Sequence, residues 1–189
     1  TYTDEDGVWT LDGEDPPSGD LVGQYVRIRN EGGANADIEG LTEDMLLTAA
    51  DADQAELSAF VFQSQIRQWA TIYAPEIPLT DTRINVYVNI DDTCNAYFDG
   101  SINFMRSGGG CRNTGRIADV NYHEWGHGFH YYSLLSGEFD GSMSEGIADA
   151  VSMLNTGDPI IAPGFFNSGY AILSLIHISE PTRRLGLSD

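Results

Sequence analysis

The sequence predicts an α+β domain in which a mixed sheet precedes a pair of functional helices. Two observations carry this prediction. Strand-like alternation of apolar and polar residues lies before residue 106, whereas helical patterns dominate after residue 116. One long helical pattern with an apolar stripe separates the strand segments. The predicted strands are 21–29, 83–90, 95–99 and 101–105, and the last two form either a hairpin or two short edge segments. The predicted helices are 53–74, 117–135 and 144–155.

The composition is that of an ordinary folded domain with an unusual charge. The chain has 189 residues, of which 41% are hydrophobic and 20% charged, so we expect one domain, or one domain and part of another. Nine basic residues, all arginine, face 29 acidic ones, a net charge of −20. This field repels nucleic acid and anionic membranes, and no apolar run approaches the ~18 residues of a membrane span. We therefore expect the protein to bind neither nucleic acid nor membranes. The composition favours neither a monomer nor an oligomer.

The chain divides into three predicted regions. Residues 1–20 form an acidic, turn-rich segment with a short strand at Val8–Leu11, whose carboxylates are either calcium ligands or simply solvated. Residues 21–172 form the folded domain. Residues 173–189 are expected to be a non-native tail, because residues 173–183 resemble the in-frame translation of a sequencing adapter.

The helix predicted at 53–74 has one apolar face. Asp51 or Asp53 can cap its start, and Pro75 ends it. Its large apolar side chains recur at steps of four, three and four, so we expect them in the core. They are Phe62, Ile66, Trp69 and Tyr73.

Two cysteines, Cys94 and Cys111, bracket the predicted hairpin region and a glycine-rich loop at 107–110, which we expect to be flexible. A disulfide between them would stabilise the fold by roughly 3 kcal/mol in the chain-entropy model. Two free thiols or a metal pair are the alternatives. A disulfide in a small acidic chain favours a secreted, extracellular protein.

His123 and His127 give the strongest functional signal. They form the pattern His-Glu-Xaa-Xaa-His in a helical stretch, where residues four apart lie one turn apart on the same face. Both imidazoles can then bind one Zn²⁺, and Glu124 can serve as general base without being a ligand. A helix with two surface histidines is the alternative. The helix-destabilising glycines 126 and 128 argue against it, because they need a packing or functional reason.

A catalytic zinc ion needs a third protein ligand. Glu145 and Asp149 share one helical face by the same spacing, so Glu145 is the candidate ligand. Asp149 can accept the other ring N–H of a zinc-binding histidine and orient it. The alternative for Glu145 is an acid that interacts with the helix dipole. His130 could also face the metal, but we rather expect it to line the cleft or be exposed.

These residues resemble the gluzincin metallopeptidases of the thermolysin and fungalysin type. The likeness lies in the segments 123–128 and 141–149, and in Asn95–Phe98. It implies a zincin-like catalytic domain whose second, helical lobe is missing from this chain. It also implies that Asn95 and Ala96, on an exposed edge strand, bind an extended substrate. Asp119 matches a position that helps to bind Ca²⁺ in such enzymes.

The sequence and the resemblance together predict a secreted zinc endopeptidase whose activity in this chain depends on the missing lobe. Its substrate would be a peptide or protein. Three alternatives remain. The chain could be an aminopeptidase of the same metal class, a non-catalytic surface or adhesion module that retains a zinc site, or an unfolded gene fragment.

Overall fold

The computed structural model describes residues 19–39, 46–134 and 139–169. Within these ranges the chain forms a mixed α+β fold with three α-helices, two short 3₁₀ helices and one four-stranded sheet. The strand predicted at Val8–Leu11, nearly all of the acidic segment at 1–20, and the tail at 173–189 lie outside the described residues.

The sheet is mixed, as predicted. Its strand order is β1-β2-β4-β3, with β1 parallel to β2, β2 parallel to β4, and β3 antiparallel to β4. Strand β3 therefore occupies one edge of the sheet. The bounds are Val26–Asn30 for β1, Ile84–Ile90 for β2, Ala96–Phe98 for β3 and Ile102–Met105 for β4.

The predicted strand at 21–29 is partly wrong. The chain makes a tight turn before β1, in which the N–H of Gly23 donates to the carbonyl of Val26 over 2.8 Å. Val22 forms an isolated antiparallel bridge with Arg27 instead of extending the strand. The regular strand therefore begins at Val26.

The three helices lie close to the predicted ranges. Helix α1 begins after Asp53, whose side chain accepts from a first-turn N–H while Glu56 reaches back to the Asp53 N–H, a capping box. Helix α3 begins three residues earlier than predicted, because Asp140 caps it by accepting from the N–H of Met143 over 2.9 Å. The bounds are Gln54–Tyr73 for α1, Ala118–Ser133 for α2 and Gly141–Thr156 for α3.

The predicted apolar stripe of α1 is only partly in the core. Ile66 is fully buried, but Tyr73 is 70% exposed, and Phe62 and Trp69 are half-buried. The most buried face is turned slightly from the predicted one, and three of its six residues are alanines, which let the helix backbone approach its neighbours closely. It consists of Ala55, Glu56, Ala59, Gln63, Ile66 and Ala70.

A buried polar contact joins α1 to the start of α2. The side-chain amide of Gln63 donates to the backbone carbonyl of Asn121 over 3.0 Å and to its side-chain oxygen over 3.2 Å. Asn121 in turn donates to the carbonyls of Gly115 and Ile117. Both side chains are fully buried. Because buried polar groups are costly unless paired, these bonds fix the position of α2 two residues before His123.

The two glycines of α2 have a packing reason, as expected. A Cβ on Gly126 would lie 2.6 Å from the Cα of Ala148 in α3. A Cβ on Gly128 would lie 3.1 Å from the ring of Phe98 in β3 and 3.2 Å from Leu79. Helix α2 therefore touches α3 on one side and the edge strand on the other. Among the described helices, none is long and apolar enough to cross a membrane.

We predict that Gly126→Ala destabilises the protein by about 1–3 kcal/mol, because the added methyl group overlaps the backbone of Ala148. Urea unfolding measures the change. Gly146→Ala is the matched control, since a Cβ there meets nothing within 4 Å. It should be neutral or stabilise the helix by up to about 1 kcal/mol. Equal effects of the two substitutions would contradict the close contact between α2 and α3.

Candidate metal centre

A cleft of about 980 Å³ lies between the edge strand and the helices α2 and α3. Strand β3 and the two residues before it form one side, and α2 and α3 form the floor. A further apolar segment closes another side; we call its four cleft-lining residues, Ile161, Ala162, Phe165 and Phe166, the apolar wall. No apolar periodicity marks this segment in the sequence, so sequence reasoning missed it.

His123 and His127 lie together with Glu145 on the floor of this cleft. Helix α2 supplies both imidazoles and α3 supplies the carboxylate. One potential ligand atom from each residue lies within 4.8 Å of the other two. The Nε2 atom of His123 is 3.2 Å from Oε2 of Glu145, and Nε2 of His127 is 3.7 Å from Oε1. The structure thus brings together the three residues that the sequence suggested as ligands.

The second ring nitrogen of each histidine has its own partner. Nδ1 of His123 lies 2.8 Å from Oδ1 of Asp149, the contact expected from the spacing. Nδ1 of His127 lies 2.8 Å from the hydroxyl of Ser144. Sequence reasoning missed Ser144. The available signal was its place directly before Glu145 at the start of a helix. These contacts orient both rings so that their Nε2 atoms face Glu145.

The charges of Glu145 and Asp149 favour a cation near the two histidines. Burial lowers the pKa of His123, but hydrogen bonds to Asp149 and Glu145 outweigh burial and raise it to about 10. Burial and the charge of His123 lower the pKa of His127 to about 4. The hydrogen bond to His123 lowers the pKa of Glu145. One imidazole therefore carries a positive charge that a bound metal ion would replace.

Glu124 is buried beside the ligand group without belonging to it. Its side chain lines the cleft, only 5% of the residue is exposed, and Oε2 has no hydrogen-bond partner among the described residues. Burial raises the pKa of Glu124 to about 7, although the charge of His123 opposes the shift. A buried carboxyl with a free oxygen and a pKa near neutrality can exchange protons with a molecule in the cleft.

The donor set fits a metal ion. Two imidazole nitrogens and one carboxylate oxygen are a ligand combination that divalent transition metals accept in proteins. Each imidazole is oriented through its other nitrogen, which is the usual support for a metal-binding histidine. His123, His127 and Glu145 form a group that can hold such an ion.

Asn95 and Ala96 lie at the rim of the cleft. Both line it, and Asn95 is exposed. The carbonyl of Asn95 accepts from the hydroxyl of Thr114 over 3.0 Å, which holds the start of the strand. Within the part of the chain that the structure describes, β4 is the one strand paired with β3, so the opposite edge of β3 is open.

The predicted disulfide between Cys94 and Cys111 is confirmed. The neighbouring glycine loop is less free than expected, since it lies against the chain before Cys94. A Cβ on Gly108 would be 2.5 Å from the side chain of Thr93, and one on Gly109 would be 2.8 Å from it. Glycine permits this close approach.

One expectation from the sequence needs correction. His130 neither faces the metal group nor lines the cleft; it is 4% exposed and its ring packs against Phe139 with centroids 5.0 Å apart. Asp119 is buried, and its carboxylate accepts from the N–H of Ala162 over 3.0 Å. This contact ties the apolar wall to α2. A calcium site at Asp119 stays a prediction.

The fold is similar to that of a solved structure, the "Precursor of Protealysin, Metalloproteinase from Serratia proteamaculans". The TM-score is 0.53 and the sequence identity 14%, over 76% of this chain and 46% of that chain. This chain therefore spans about half the length of the protein that it matches. At this identity the likeness concerns the fold. No protein-family model and no curated protein matches the sequence.

We predict that Ser144→Ala lowers the affinity for a divalent metal by about 10- to 100-fold, because His127 loses the partner that orients its ring. Asp149→Asn should act similarly through His123. Isothermal titration of the metal-free protein with Zn²⁺ measures both effects. Ser142→Ala, an exposed position two residues away, is the control and should bind like the unchanged chain. Unchanged affinity in Ser144→Ala would refute its orienting role.

Proposed function

We propose that the chain carries the zinc site of a gluzincin-type metallopeptidase and hydrolyses peptide bonds. The observation that carries the proposal is Glu124, a buried carboxyl with a free oxygen in the same cleft as the ligand group. A purely structural metal site needs ligands but no adjacent base. The resemblance of the motifs and the fold shared with a metalloproteinase precursor support the same conclusion.

His123, His127 and Glu145 would hold the metal, and their imidazole and carboxylate donors suit Zn²⁺. Zinc, when bound, supplies Lewis-acid polarisation of a peptide carbonyl and of water. Glu124 accepts a proton from the attacking water through its free oxygen and returns it to the leaving amine. Asp149 and Ser144 keep the two imidazoles in orientation.

The open edge of β3 is the proposed peptide-binding surface. An extended peptide can add to an exposed strand edge through main-chain hydrogen bonds, and this brings its backbone over the cleft floor. Asn95 and Ala96 lie where the strand meets the cleft, so we assign them to substrate binding. The peptide's side chains then face either α2 and α3 or the apolar wall.

The parent protein is proposed to be secreted. The Cys94–Cys111 disulfide supports an oxidising compartment. The chain covers 46% of the precursor that it resembles, so the activity of the whole protein is inferred from the site and not from the comparison. The resemblance to gluzincins implies a second lobe, which would complete the cleft and raise the cleavage rate.

We predict that the Glu124→Gln variant still binds one zinc ion per chain. Its peptide cleavage rate should fall by a factor of about 10² to 10⁴, because the amide cannot accept the proton. Metal content is measured by mass spectrometry and cleavage with a quenched fluorescent peptide. Glu76→Gln, an exposed site after α1, is the matched control and should leave both unchanged.

Two results would contradict the proposed function. Zinc-loaded wild-type chain that cleaves no peptide would exclude a peptidase activity for this chain. Cleavage that persists in Glu124→Gln would remove the general base from the mechanism and favour a contaminating protease.

We predict that Asn95→Ala raises KM about fivefold with little change in kcat, the effect of losing one hydrogen bond of about 1 kcal/mol to bound peptide. Steady-state kinetics on the same fluorescent peptide separates the two constants. Asn85→Ala, exposed on β2 and outside the cleft, should behave like wild type. A fall in kcat with constant KM would place Asn95 in the chemical step instead.

A further inference from the structure

We propose that the Cys94–Cys111 disulfide is a brace that sets the width of the cleft, by joining the start of the edge strand to the apolar wall. The proposal rests on the proposed function, since it concerns how the same cleft holds a peptide. It assigns the disulfide a positioning role in substrate binding beyond its contribution to stability.

One end of the brace belongs to the substrate side of the cleft. Cys94 directly precedes Asn95, and both residues line the cleft. Cys94 has a left-handed backbone, with φ of 60°, a conformation unfavourable for a residue with a side chain. The packing of Gly108 and Gly109 against Thr93 holds the chain here from the other side. The direction in which the strand leaves Cys94 is therefore fixed by its surroundings.

The other end of the brace carries the apolar wall. Cys111 forms an antiparallel bridge with Phe166. The N–H of Arg112 donates to the carbonyl of Phe165 over 2.9 Å, and the N–H of Asn167 donates to the carbonyl of Gly110 over 2.8 Å. The residues on both sides of Cys111 thus pair with the wall segment, and any movement of Cys111 moves the wall.

The disulfide joins these two sides directly, in addition to the main chain that runs from Cys94 to Cys111. Without it, the strand start keeps the Thr114 contact to Asn95, and the wall keeps the contact of Ala162 with Asp119. Each side would remain attached to the body of the fold, but their separation would no longer be set by a bond. The ligands on α2 and α3 do not depend on this connection, so metal binding should survive its loss.

The first test is hydrogen exchange by NMR on the Cys94→Ala/Cys111→Ala double variant. We expect the exchange rates of the Arg112 and Asn167 amides to rise at least tenfold more than those of the amides in the middle of α1, which report the general loss of stability. Ile66→Ala, which removes a fully buried side chain and keeps the disulfide, is the control for a general loss of stability. The proposed brace would be contradicted if all amides of the double variant exchanged faster by the same factor, or if no amide exchanged faster than in the intact protein.

The second test is the kinetics of the zinc-loaded double variant with the fluorescent peptide. We expect KM to rise at least fivefold, with kcat within twofold and zinc stoichiometry unchanged. A fall in kcat with constant KM would overturn the assignment, because a loosened binding surface acts on affinity. The Ile66→Ala control should keep the KM of wild type.

If the double variant does not fold, the same exchange measurement is made on the intact protein after reduction. A phosphine reductant yields two thiols and is itself oxidised to phosphine oxide with oxygen from water. The exchange measurement needs no peptidase activity. A wild-type chain that cleaves no peptide would therefore contradict the proposed function. Unchanged exchange of the Arg112 and Asn167 amides would contradict the proposed role of the disulfide.

Discussion

The site depends on one close contact, that of Gly126 in α2 with Ala148 in α3. A hydrogen atom in place of a side chain lets the two helix backbones approach so closely that even a methyl group would overlap the Cα of Ala148. The histidines lie on α2 and Glu145 on α3, so the distance between the helices decides whether three ligands reach one point. Glycine lowers the stability of a helix relative to alanine, and this close packing offsets that loss.

Polar contacts then set the position and rotation of these helices. Gln63 and Asn121 fix the start of α2 against α1, and Asp149 and Ser144 fix the imidazole rings from α3. Every one of these bonds is buried or half-buried, where an unpaired polar group would destabilise the fold. Four buried side-chain atoms among the described residues lack a partner, and they belong to Arg27, Gln63, Glu124 and His130. Glu124 differs from the other three because it lines the cleft beside the candidate ligands, and an unpaired buried carboxyl in a cleft is typical of a reacting site.

Local patterns in the sequence predicted the helices, the strand at 83–90, the disulfide pair and the three candidate ligands that the structure brings together. These features depend on contacts between residues near in sequence or on short motifs. The strand order and the parallel pairing of β1 with β2 depend on packing between distant segments, which no local pattern encodes. The buried face of α1 was predicted wrongly because the prediction relied on the large apolar side chains. The face that is most buried includes three alanines, which a search for large apolar residues does not detect. Ser144 and the apolar wall were missed since a single serine and a short aromatic loop carry no periodic signal.

The central claim is that His123, His127 and Glu145 hold one metal ion in the cleft. X-ray absorption at the zinc edge of the zinc-loaded protein tests it most directly. We expect one zinc ion per chain with two imidazole ligands and oxygen ligands, all at about 2.0–2.2 Å. A spectrum with sulfur ligands, or with fewer than two imidazoles, would contradict the account.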